Sequence, residues 1–347
     1  GGTVFIPHLI GEENRENRPF AEYWMGVHPV GTAVLHTPGG DRAIDELTGP
    51  LTFLIKVLDV KNMLSIQVHP DREGAEEGFA RENEAGIPLD APGRNYRDDN
   101  HKPELMVALG DFWLLHGFKP PEEMTYTLLN VVELRVLLPV FNESGYSGLY
   151  RHIMEMSQEE VDRILRPLIE NISAIYRDCE PDRYDEDFWA ARAAATFSKN
   201  GSYDRGIFSI YLFNLVHLKK GEGIFQGPGV PHAYLEGQNV EIMASSDNVL
   251  RGGLTSKHID VKELLKHVKC EACYPEILSG EQLNREQLYY KAPAQDFRLE
   301  KIELEEHKVL QLRAGSAEIL LLTEGELRLD SDGPVLKCGQ PAAAVLA

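Results

Sequence analysis

The chain has 347 residues, 43 % of them apolar and 26 % charged, which are ordinary proportions for a protein with a sizeable core. That length exceeds what one core usually fills, so two or three packed units are expected. Its 35 basic and 55 acidic residues sum to −20, a field that repels nucleic acid and anionic membrane surfaces, and no apolar run approaches the roughly 20 residues that span a bilayer. The partner to expect is a small molecule, anionic only if Lys and Arg converge locally.

In chain order, the opening Gly1-Gly2-Thr3-Val4-Phe5-Ile6-Pro7 lacks a basic segment followed by an apolar core, so no export signal is read and a cytoplasmic location is expected. Leu51 to Val60 and Met63 to His69 are rich in β-branched and aliphatic residues and read as neighbouring strands. Met106 to Leu109 and Phe112 to Phe118 extend the pattern across Gly110-Asp111. Ser157-Gln158-Glu159-Glu160 is a capping box, and Val161, Ile164, Leu165, Leu168, Ile169 and Ile172 follow at helical spacing. Pro167 predicts a kink or break there. Tyr184 to Ala195 predicts another helix, ended by Lys199-Asn200-Gly201. Strands are expected to resume over Ile207 to Leu218. Lys219 to Pro231, with four glycines and two prolines, reads as loop. Phe297 to Leu304 alternates apolar and polar residues, and Ala317 to Leu322 followed by Glu324-Gly325-Glu326 reads as a strand pair with a tight connection. The acid-rich stretches around Glu12 and Glu73 are expected to be solvated loops.

Four cysteines, Cys179, Cys270, Cys273 and Cys338, are too few and too scattered for a disulfide framework, which fits a reducing compartment. Cys270-Glu271-Ala272-Cys273 is a lone CxxC with neither a second pair nor a nearby His in the sequence, and is read as structural.

One constellation carries chemistry. On a strand, residues i and i+2 share a face, so Gln67 and His69 present an oxygen and an imidazole to one spot. Glu104, set by Pro103, offers a carboxylate, and His232 a second imidazole from the Gly-Pro loop. Nitrogen and oxygen donors of this mix suit Zn²⁺ with an open position for catalysis.

Ala21 to Pro29 (AEYWMGVHP), Leu64 to Asp71 (LSIQVHPD), His101 to Glu104 (HKPE) and Val240 to Lys257 (VEIMASSDNVLRGGLTSK) closely resemble type I phosphomannose isomerases. The resemblance implies a mainly β fold: two cupin (jelly-roll) β-barrel units with an α-helical insertion. It places a discontinuous catalytic unit at 1–118 and 202–268, the helical insertion at 119–201, and a C-terminal cupin-like unit at 269–347, expected to be incomplete at its end. The opening Gly1-Gly2 stands where the family has an aromatic and Trp-Gly-Gly.

The resemblance implies one Zn²⁺ per chain on Gln67, His69, Glu104 and His232, and interconversion of mannose 6-phosphate and fructose 6-phosphate through a cis-enediol. Lys102, Tyr234, Glu241, Asp247, Arg251 and Lys257 fall on positions lining the family's active site. Among these, Lys102, Glu241 and Asp247 are candidates for acid-base work and Arg251 for both catalysis and substrate binding. Arg251, as a planar fork, and Lys257, as a point charge, suit the phosphate, with Lys102 in the same pocket and Gly252-Gly253 leaving room for close approach. Two other readings stay open: two histidines and a carboxylate also serve iron in cupin oxygenases, although the Gln argues against it, and a non-catalytic sugar-phosphate-binding bicupin keeps the same residues.

Overall fold

The computed structural model describes residues 1–29, 31–37, 39–178, 182–330, 336–339 and 342–346, of which 177, 178 and the last two segments are described by backbone only. Cys179 and the Cys338 side chain lie outside the described residues. The chain begins with α1 (Phe5–Leu9), β1 (Glu22–Gly26), the hairpin β2 (Val34–Thr37) and β3 (Gly40–Ala43), and α2 (Asp45–Thr48). Then come β4 (Phe53–Val60), β5 (Ile66–Val68), α3 (Arg72–Glu84), β6 (Glu104–Ala108) and β7 (Phe112–Phe118). A helical stretch follows: α4 (Pro121–Asn130), α5 (Leu138–Glu155), α6 (Gln158–Asp178), α7 (Glu186–Phe197) and α8 (Gly206–Leu212). Strands return as β8 (Phe213–Leu218), β9 (Gly223–Gln226), β10 (His232–Ala244) and β11 (Leu250–Gly253), ahead of α9 (Val261–His267).

β10 organises the barrel. Its first residues pair with β5 and β7, giving a sheet ordered β11-β5-β10-β7-β8, and its last eight pair with β4 and β6, giving β1-β4-β10-β6-β9. All of these pairings are antiparallel. The strand passes from one sheet to the other at Gly237, whose φ of +133° no side chain tolerates well and where a Cβ would lie 2.7 Å from the Asp111 carbonyl oxygen. β4 and β5 therefore do not pair with each other, contrary to the expectation, and neither do β6 and β7; each reaches its neighbour through β10.

Side-chain alternation distributes the core over three layers. Leu58, Met106, Phe112, Leu114, Val216 and Ile224 fill the barrel between the sheets. Ile66, Val68, Trp113 and Leu115 leave the other face of their sheet and pack on the helices through Leu149, Tyr150, Ile153, Leu165 and Trp189. Ile55, Val57, Leu105 and Ile242 face the C-terminal strands and α1. Burial on both faces explains why β4 and β7 read as nearly continuous apolar runs.

Several expectations are corrected. α6 runs through Pro167 without the break: the proline is exposed, while Val161, Ile164, Leu165, Leu168, Ile169 and Ile172 are all buried and clamp both halves. Its capping box forms, Ser157 N donating to Glu160 Oε2 at 3.0 Å. The first half of Ile207 to Leu218 is helix α8, every residue of it buried; an apolar run gives no periodicity by which to tell a buried helix from a strand. Inside the glycine-rich loop, Gly223–Gln226 forms β9 on β6, and the acid-rich stretch at Glu73 opens helix α3 under an Asp71 cap.

The C-terminal unit has a three-stranded sheet, β12 (Glu281–Gln282), β13 (Gln287–Tyr290) and β14 (Leu299–Ile302), then β15 (Glu318–Leu322), β16 (Glu326–Leu329), β17 (Leu336–Gly339) and β18 (Ala342–Leu346). β15 pairs with β18 and β16 with β17, so the expected β15–β16 hairpin is replaced by a nested, first-with-last pairing. That nesting is jelly-roll connectivity, and with the main barrel it gives the mainly β, two-unit cupin fold with inserted helices. Among the described residues no single helix is long and apolar enough to cross a membrane.

Candidate active site

The barrel interior is apolar at one end and polar at the other. The register sets His116, His232, Gln67 and Arg251 in one row across β7, β10, β5 and β11. On the facing sheet Glu241 of β10 lies opposite Lys56 of β4, and Glu104 begins β6 opposite Met243. Directly opposed residues share a face, so these side chains converge across the barrel mouth.

At the centre, His69 Nε2 and His232 Nε2 each lie 3.3 Å from Glu104 Oε2. The three ligand atoms lie within 4.8 Å of one another and all three residues are buried. Each imidazole is oriented by its other nitrogen: His69 Nδ1 donates to the Asn248 carbonyl at 2.9 Å and His232 Nδ1 to the Val230 carbonyl at 3.0 Å. Burial pushes the His69 imidazolium down to about 4, so its ring is neutral. Burial opposes ionisation of Glu104, but Lys102 Nζ at 2.8 Å and the two imidazoles hold its carboxyl well below the usual range. His69 Nε2 has no hydrogen-bond partner although it is fully buried. A neutral, oriented imidazole with an orphaned nitrogen, a second imidazole and a carboxylate form a donor set that fits a divalent cation; Gln67, beside His232, adds an oxygen donor.

Gln67, Lys102, Glu104, His232, Tyr234 and Glu241 border one cavity of about 60 Å³, together with Lys56. Tyr234 Oη donates to Glu241 Oε2 at 2.7 Å. Burial and then the Glu104 charge push the Glu241 carboxyl up to about 7, whereas Glu104, Glu241 and Asp247 hold the buried Lys102 ammonium above its ordinary value. Asp247, Arg251 and Lys257 border a second cavity of about 370 Å³, with Arg94, Arg97 and His258. Lys102 turns to Glu104 in the inner cavity, while Arg251, next to Gln67 across β5 and β11, and Lys257 face the larger cleft beside it. Gly252 and Gly253 are spent on packing, since a Cβ would lie 2.7 Å from the Tyr150 hydroxyl or 2.4 Å from Gly206 Cα, rather than on approach of a ligand.

The sequence reading missed Lys56, whose ammonium lies 3.7 Å from Glu22 and 4.4 Å from the Trp24 ring centroid. It missed His28, bonded to Asp247 at 3.0 Å, and Arg97 and Asn248. Trp24 and His28 sit in a quoted motif, so that signal was present; Lys56 is a single cation in an apolar strand and gave none. Cys270 and Cys273 are unpaired, and Cys273 Sγ lies 3.6 Å from His116 Nδ1, a neighbour 157 positions away that sequence proximity does not reveal. Burial pushes the Cys270 thiol up to about 11, in keeping with a structural role.

Known proteins are similar to this chain in sequence and in fold. Residues 6–121 match the catalytic domain of phosphomannose isomerase type I. The mannose-6-phosphate isomerase of Salmonella typhimurium is 36 % identical over 368 residues, covering 99 % of this chain and 90 % of its own, and the Homo sapiens enzyme of that name is 34 % identical, covering 89 % and 79 %. The Salmonella typhimurium structure bound to its substrate fructose 6-phosphate and to zinc superposes with a TM-score of 0.85 at 33 % identity, covering 99 % of this chain and 90 % of that one.

Proposed function

The chain belongs to the type I phosphomannose isomerase family, and from that premise we propose that it interconverts mannose 6-phosphate and fructose 6-phosphate with one Zn²⁺ per chain. The observation that carries the reading is the convergence of His69 Nε2, His232 Nε2 and Glu104 Oε2 on one buried point, with the first of these left unpartnered. Gln67 completes the proposed ligand set. Bound zinc supplies Lewis acidity, which stabilises negative charge developing on a sugar oxygen.

The remaining roles belong to side chains. Isomerisation moves a proton between C1 and C2 through a cis-enediol, so a proton carrier must reach both carbons. Glu241, Lys102 and Asp247 are assigned this acid-base work. Glu241 stands in the inner cavity with Tyr234 Oη on one carboxylate oxygen, Lys102 holds its proton at Nζ beside Glu104, and Asp247 is oriented by His28. Tyr234 lines the wall against which the sugar rests. Arg251 and Lys257 bind the phosphate, and Arg251 is suited to it because its Nε is buried without a partner and, among the described residues, it forms no ion pair.

The working units are the barrel formed by 1–118 and 202–268, the helical insertion at 119–201, which shares a core with the barrel sheet bearing Gln67, and the C-terminal unit at 269–347. Free Cys270 and Cys273 support a cytoplasmic location. The zinc and fructose 6-phosphate of the related structure leave the iron-oxygenase and binding-only alternatives without support.

The test is a coupled assay of mannose 6-phosphate conversion, with metal content measured, on wild type and His232→Ala. Wild type is expected to turn over, to stop with a chelator and to recover with zinc. His232→Ala should lose more than the roughly 10- to 100-fold typical of an orienting partner, together with its zinc. Full turnover in the chelated protein would overturn the metal assignment.

A further inference from the structure

The larger cleft holds more positive charge than the two phosphate-binding residues assigned above, and its cations are not equivalent. Arg94 borders it but is spent: its guanidinium donates to the carbonyls of Tyr96 and Ile87 and to Asn83 Oδ1, with Glu82 at 3.6 Å. The one carboxylate in the lining, Asp247, is engaged by His28 through both oxygens, each at 3.0 Å. Arg97 differs. Its side chain is exposed at the cleft and, among the described residues, forms no ion pair, in a chain with 20 more acidic than basic residues. Arg97 and Arg251 are close enough that Arg97 adds to burial in lowering the Arg251 guanidinium. Two guanidiniums at one cleft, with no carboxylate bonded to either among the described residues, are held there at an electrostatic cost that an anion between them removes.

The Arg97 backbone is fixed. Its N–H donates to Asn248 Oδ1 at 2.8 Å, and Asn248, fully buried, also donates through Nδ2 to the carbonyls of Asp98 and Asn100, at 2.8 and 2.9 Å. The carbonyl of the same Asn248 accepts from His69 Nδ1. Arg97 therefore stands at a set position relative to the proposed metal centre.

We propose that Arg97 is the second guanidinium of the phosphate site, and that the Arg97–Arg251 pair makes the cleft select phosphorylated over unphosphorylated sugars. This rests on the isomerase reading, and the experiment separates the two. Arg97→Ala and Arg97→Lys are compared with wild type for KM and kcat on mannose 6-phosphate, for kcat/KM on unphosphorylated mannose, and by direct calorimetric titration with inorganic phosphate. Arg97→Ala is expected to raise KM and the phosphate dissociation constant together by about 10- to 100-fold, the usual weight of a charge-assisted hydrogen bond, with kcat within about twofold and the reaction of mannose unchanged. Arg97→Lys, keeping the charge without the fork, should fall between. An unchanged phosphate affinity and KM in Arg97→Ala overturns the proposal. So does an equal loss on mannose, which would mark a structural role. If wild type turned over no mannose 6-phosphate while phosphate affinity still fell in Arg97→Ala, the isomerase reading would fail and the anion site would stand.

Discussion

At the scale of single residues, the proposed metal centre depends on groups that never touch the metal. His69 is neutral because it is fully buried, and its ring is aimed because Nδ1 is tied to the Asn248 carbonyl. That carbonyl is held in turn by the Asn248 side chain, whose bonds to residues 97, 98 and 100 also fix the loop that leads to Lys102 and Glu104. Asn248→Ala keeps the carbonyl but frees the loop and leaves its buried polar groups unpaired, so zinc affinity should fall about 10- to 100-fold. Competition with a chromogenic chelator measures this, and wild-type affinity in the variant would show that the side chain does not hold His69 in place. Gln67 and His69 were readable as a pair because strand alternation is local. Arg97 and Lys56 were not: Arg97 is fixed by Asn248, 151 positions further on, and Lys56 is distinguished by Glu22 and Trp24 on the neighbouring strand, contacts that a single cation in the sequence does not announce.

At the scale of elements, β10 serves two sheets, and one glycine permits it. Gly237 sits at φ +133°, and a Cβ there would lie 2.5 Å from a Phe112 ring atom and 2.9 Å from its Cα. Backbone strain of about 1–3 kcal/mol, added to a steric conflict with the β7 backbone, should make Gly237→Ala a marked destabiliser, seen as a fall in Tm. Because the corner separates the His232 half of β10 from the Glu241 half, residual activity should fall as well. An unchanged Tm would mean that the corner is softer than its geometry implies. The sequence carried the existence of β4, β6, β7, α6 and α7 through their patterning, but not which strand paired with which: four of the main strands meet only through β10, which lies more than 110 positions beyond them. The α8 and β9 errors have a different cause, a fully buried run without periodicity and a two-residue apolar signal inside a turn-rich segment.

At the scale of the whole molecule, the site is braced by contacts between segments far apart in sequence. Glu263 on α9, 6 % exposed, accepts from Tyr96 Oη at 2.7 Å, from Arg81 of α3 and from Lys266, while His267 bonds the same hydroxyl. Tyr96 directly precedes Arg97, and its ring packs where a Gly78 side chain would stand, so this cluster locks α3, α9 and the loop into the active site as one body. Burial opposes the Glu263 charge, but Lys266, Tyr96 and Arg81 prevail and bring its carboxyl down to about 2. A carboxyl depressed by folding contributes stability that is present above its unfolded value near 4.5 and is lost as pH falls from there towards 2. Glu263→Gln should therefore be less stable than wild type by about 1.5–3 kcal/mol at pH 7, the weight of hydrogen bonds to a buried charge. The gap should narrow below pH 4.5 and close near pH 2. Urea midpoints over that range measure it, and a gap that stayed constant with pH would assign the effect to shape rather than to the Glu263 charge.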